Sequence, residues 1–138
     1  MSTPRSFHNV ADMTWQELHE RMDFMAELID RAAENPQSAI NFDDNRATVE
    51  RLFGGEEGLL LSLQHRWLTA LTAKLDQAAE DDIPAEQARA ELAARLPGLR
   101  ALLDEAARRS IRIRGRQHDE QRIVELHGGV VSLQQTIA

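Results

Sequence analysis

The sequence predicts an all-α fold: a single-domain bundle of four to five helices with an extended N-terminal arm and a C-terminal tail. Three observations carry this. The stretch 59–75, LLLSLQHRWLTALTAKL, is apolar around most of its circumference. Leu60, Leu63, Trp67 and Leu71 form one stripe on it, and Leu61, Leu68, Leu71 and Leu75 a second, together wider than the ~100° face of a helix packed on one side only. Elsewhere, apolar residues recur at alternating steps of three and four, and no segment alternates convincingly as a strand. Finally, 138 residues fit one domain, long enough to bury ~65–70% of the unfolded surface without a staple.

The elements follow in order. Residues 1–13 read as an extended arm anchored by Phe7, Val10 and Met13. Thr14 then caps a helix, with Glu17 three residues on as a capping box and Met13 against Leu18 as a hydrophobic staple. Trp15, Leu18, Met22, Met25, Ile29 and Ala32 make the seam of a helix packed nearly parallel or antiparallel to another. Asn35 and Pro36 end it, because a proline disfavours helical geometry at the residue before it. Residues 36–43 form a loop whose Ile40 and Phe42 reach back to the core. A short helix capped by Asp43 or Asp44 carries Val49, Leu52 and Phe53 and stops at Gly54 and Gly55.

The central helix starts near Glu56 and Glu57, whose charges suit the positive end of its dipole, and runs to Glu80 before the Asp81–Asp82 turn. Pro84 opens a further helix whose stripe continues through Leu92, Leu96, Leu99, Leu103, Ala106, Ser110 and Ile113. Pro97 interrupts it, at a cost of ~3 kcal/mol or more for an interior proline, so the helix breaks there and restarts in nearly the same phase. The alternation at 111–114 reads as a frayed end or a short extended piece, with Gly115 marking the change. A small helix over 117–127, bearing Ile123, Val124 and Leu126, ends at Gly128 and Gly129. The chain thus divides into an arm (1–13), a bundle (14–127) and a tail (128–138).

Composition narrows the chemistry. The absence of cysteine removes disulfides, thiolate metal sites and cysteine nucleophiles. No apolar h-region opens the chain and no run is long enough to span a membrane, which points to the cytoplasm. Only Lys74 of the sixteen basic residues is lysine and alanine is abundant, a bias of GC-rich bacterial genomes. The net charge of −7 argues against binding nucleic acid or anionic lipid with the whole surface. Yet residues 108–118 hold five arginines and no acid, leaving −12 on the rest.

That run, Arg108, Arg109, Arg112, Arg114 and Arg116, is the sharpest local feature. Guanidinium forks suit phosphates and carboxylates alike, so nucleic acid is one expected partner. No stacking aromatic or helix-turn-helix accompanies the run. The favoured reading is that these arginines pair with the acidic first helix (Glu17, Glu20, Asp23, Glu27, Asp30, Glu34) or with a partner protein. The tail supplies a second candidate surface: Val130, Val131, Leu133 and Ile137 are expected to order only by docking on this bundle or another chain.

Cofactor chemistry finds little purchase. No histidine has a glutamate three residues before it, the spacing of di-iron bundles. His19 with Asp23, and His65 on the central helix, would make a metal site only by converging. The GGEEG run at 54–58 lacks the lysine and hydroxyl of a phosphate loop, and nothing resembles a nucleophile elbow. No cofactor and no metal are expected. The function the sequence favours is a non-catalytic protein-interaction module, self-associating or a small accessory or scaffolding subunit of a larger complex. A nucleic-acid-associated protein comes second, and a metal-carboxylate bundle enzyme third.

Overall fold

The computed structural model describes the backbone of residues 3–137 and the side chains of residues 14–128. In chain order the helices are α1 (Thr3–Glu34), α2 (Pro36–Ala39), α3 (Arg46–Phe53), α4 (Glu56–Glu80), α5 (Ala85–Arg95), α6 (Pro97–Arg109) and α7 (Ile111–Ile137). Among the described residues there is no strand, and the fold is all-α. Six helices have eight residues or more, so the expected count of four to five is too low. Both α3 and α7 are full elements, and Pro97 makes two helices of one stripe.

The core is built on α4. Its Leu59, Leu60, Leu63, Trp67, Leu71 and Leu75 are buried, while Leu61 and Leu68 on the second stripe are half-buried. α3, α5, α6 and α7 pack against α4, whereas α1 leans on α6, α2 and α3. Ile40 and Phe42 reach the core from the connection after α1, as expected.

Local chemistry sets the boundaries. Asn35 is extended and its side-chain oxygen accepts the Ser38 N–H at 3.1 Å, capping α2 behind Pro36. Gly54 takes φ 75° and donates to the Glu50 carbonyl at 2.9 Å, ending α3 in the left-handed cap that glycine tolerates. Leu96 separates α5 from α6, and Pro97 becomes the first residue of the new helix. Gly98 lets α6 approach α1 closely: a Cβ there would lie 2.3 Å from the Ile29 carbonyl oxygen. Ser110 starts α7. Its backbone is extended, its hydroxyl accepts the Ile113 N–H at 3.3 Å, and the same hydroxyl donates to Glu57 of α4 at 2.7 Å.

A buried charge cluster ties four helices together. Glu120 of α7, 1% exposed, receives Arg89 of α5 at 2.7 Å and Arg100 of α6 at 3.3 Å. Arg100 also pairs with Asp104 at 2.8 Å and lies 4.7 Å from the centroid of the Trp67 ring. The Gln64 amide and the Trp67 indole nitrogen are buried without a hydrogen-bond partner among the described residues.

Boundaries differ from expectation at both ends. α1 begins at Thr3, so Thr14 lies inside a helix instead of capping one, and the backbone expected to be an extended arm is helical from Thr3. α7 begins at Ile111, making 111–114 helical, and it continues through Gly115, Gly128 and Gly129 to Ile137. A glycine ends a helix where it turns left-handed. Among the described residues only Gly54 and Gly55 of the glycines have positive φ. The side chains of the arm anchors Phe7, Val10 and Met13 lie outside the described residues, as do those of Val130, Val131, Leu133 and Ile137 in the expected tail. No helix of the described residues is long and apolar enough to cross a membrane.

Candidate interaction surface

The seam of α1 divides in two. Its C-terminal half is consumed by the fold: Ala32 is buried, Ile29 meets Gly98 of α6, and Leu28, beside the seam, is buried with them. Its N-terminal half is bare. Trp15 is 63% exposed, Leu18 47% and Met22 50%, one line of large apolar groups in steps of three and four. Among the described residues the other large exposed apolar side chains, Ile111 and Leu126, stand apart on α7. Single exposed apolar residues need no explanation, whereas a contiguous line does.

The short helix α3 opens this seam. It packs on α4 and also touches α1, while α1 and α4 barely meet each other. Phe53 of α3 stacks obliquely on Phe24 of α1, ring centroids 5.9 Å apart. Arg51 grips Glu20 with its two terminal nitrogens, at 2.8 and 3.5 Å. These hydrogen bonds hold the Glu20 carboxyl below its ordinary value and raise the Arg51 guanidinium. α3 therefore acts as a spacer, and a groove of about 680 Å³ remains between α1 and α4.

The walls of the groove are Leu18, Met22 and Met25 from α1 and Leu61 and Ala70 from α4, with Phe53 between them. Its hydroxyls are spent internally: Ser62 donates to the Gly58 carbonyl and Thr69 to the His65 carbonyl, both at 3.0 Å. The ionisable groups lining it are Arg21, His65 and Arg66, with no carboxylate. Arg21 has Glu17 at 4.0 Å, and Arg66 makes no ion pair among the described residues. Such a lining is chemically suited to apolar side chains at its floor and to carboxylates at its rim.

Three arginines of the run meet partners other than the acids of the first helix. Arg108 pairs with Glu105 at 3.0 Å in its own helix, and Arg109 with the Ile40 carbonyl at 3.1 Å and Glu56 at 3.4 Å. Arg114 donates to the Ala107 carbonyl at 3.2 Å, closing the junction of α6 and α7. None of these partners belongs to the acids of α1. Arg112 and Arg116 are exposed and unpaired among the described residues.

The two histidines singled out for convergence have separate surroundings. His19 meets Trp15 edge-on, ring centroids 4.8 Å apart, and His65 lines the groove. No group of three or more histidine, aspartate or glutamate side chains among the described residues is placed to hold a metal ion. Sequence reasoning recognised the α1 seam but assigned all of it to packing within the bundle. The groove needed the position of α3, which no spacing encodes. No family model, curated protein or solved structure matches the chain.

Proposed function

We propose that the protein is a non-catalytic helical interaction module, a cytoplasmic accessory subunit that docks protein through the bare half of the α1 seam and the groove beside it. The observation that carries this is the line Trp15, Leu18 and Met22, exposed over an apolar groove whose hydroxyls are already bonded to backbone. Large aromatic and sulfur-containing side chains of this kind are enriched at the centres of protein interfaces. Nucleic-acid binding through the arginine run has less support, since Arg108, Arg109 and Arg114 already bond protein atoms and only Arg112 and Arg116 remain for phosphates.

Photo-crosslinking in the native cell tests the docking surface. A photoreactive residue at position 18 should give a protein adduct, and the same residue at exposed position 77 of α4 should not. Equal yields at the two positions, or none at either, would contradict the assignment.

A further inference from the structure

We infer that the occupant of the groove is α1 of a second copy of this chain, an inference that rests on the docking role proposed above. The groove asks for an apolar line at helical spacing bordered by carboxylates. α1 is such a helix: Trp15, Leu18 and Met22 form the line, and Glu17 and Asp23 are exposed or half-exposed close to it. Glu20 is already engaged by Arg51, and Glu17 is held only at 4.0 Å by Arg21 of its own helix.

The charges of the two surfaces are opposite. The groove presents Arg21, His65 and Arg66 in a chain whose net charge is −7, so α1 of another copy carries acid to a local excess of base. Burying carboxylate–guanidinium pairs at a rim fixes orientation and register more than it adds affinity.

Two-fold pairing uses both surfaces twice. In an isologous dimer each α1 enters the other copy's groove, so the seam and the cleft of both copies are covered together and none is left over to propagate a filament. The resulting layer is α1 and α4 of one copy with α1 and α4 of the other. The steps 15, 18, 22 and 25 suit the shallow crossing of such a four-helix arrangement. Eleven residues line the groove, about half of the ~20–30 per side in a standard interface. The interface is accordingly at the small end of the range, and the dimer forms or dissociates with concentration.

Sedimentation equilibrium of the full chain tests this. The wild type should rise from 15.6 kDa toward twice that mass as concentration increases through ~1–100 μM. The Leu18→Asp, Met22→Asp double variant should stay at 15.6 kDa with unchanged helical circular dichroism. A charge exchange gives the specificity. Chains carrying Arg21→Glu with Arg66→Glu, and chains carrying Glu17→Arg with Asp23→Arg, should each lose about tenfold or more in self-affinity. Mixing the two should restore a dimer.

A wild type that remains monomeric at every concentration, or a dimer indifferent to both sets of changes, overturns the second-copy assignment. The crosslink from position 18 then separates the two levels. An adduct with a different protein keeps the docking surface and replaces its occupant, whereas no adduct removes the surface as well.

Discussion

Two buried polar side chains set opposite expectations at the scale of single residues. Glu120 is satisfied by Arg89 and Arg100, so removing it strips Arg89 of its ion pair and leaves Arg100, itself largely buried against Trp67, with the more exposed Asp104 alone. Breaking a buried ion pair from one side costs ~3–5 kcal/mol. Urea unfolding of Glu120→Ala should show a loss of that order, with a smaller one for Glu120→Gln, which keeps an acceptor. A change below ~1 kcal/mol in Glu120→Ala would mean the cluster is ornamental. Gln64 is the reverse case, because its amide is buried with neither end bonded to a described residue. Leaving such a group unsatisfied costs ~1–3 kcal/mol, so the similarly shaped Gln64→Met should raise stability by about 1 kcal/mol. A loss in the same assay would show that the amide has a partner. Neither residue was visible from spacing alone: Glu120 sits in step with Ile113 and Val124, yet an inward-facing carboxylate is announced only by arginines on two other helices.

At the scale of elements, glycines distinguish packing from helix-breaking. Gly98 sits where α6 crosses α1, and an added methyl would press on the Ile29 carbonyl oxygen, whereas Gly115 lies within α7 with open space around its Cβ position. Gly98→Ala should therefore destabilise by ~1–3 kcal/mol through overpacking. Gly115→Ala should stabilise by ~0.5–1 kcal/mol, the ordinary gain of alanine over glycine in a helix. Thermal melts of the two variants moving in the same direction would contradict this crossing. The elements legible in advance were those written in local chemistry: α4 from its double stripe, the α3 stop from Gly54, and the α5–α6 break from Pro97. What misled was local chemistry that the fold does not use. Thr14 and Glu17 can form a capping box, but a cap acts only at a helix end, and α1 starts at Thr3. Gly115 and Gly128 look like punctuation, but both lie within α7, where neither takes the left-handed turn that ends a helix. Ser110 was read as one more position on a stripe, and its role as the cap of α7 depends on Glu57 arriving from α4.

At the scale of the whole molecule, one seam on α1 serves two purposes. Beyond Met25, which is half-buried and shared between groove and core, its apolar groups belong to the bundle, where Ala32 and the neighbouring Leu28 are sealed against the core. Before Met25 the same period continues with none of the described residues over it, because α3 holds α1 and α4 apart. The candidate site was thus half legible: the residues were in the sequence, their exposure was not. The arginine run drew attention by composition, yet Arg108, Arg109 and Arg114 fasten helix junctions. Unfolding free energies of Met22→Asp and Leu28→Asp, measured dilute enough that the chains stay apart, test this division of α1. Met22→Asp should lie within ~0.5 kcal/mol of the wild type, as for a surface change. Leu28→Asp should lose at least ~3 kcal/mol by burying an unpaired charge. Equal and large losses in the two variants would place the whole seam in the core of the isolated chain and contradict the account.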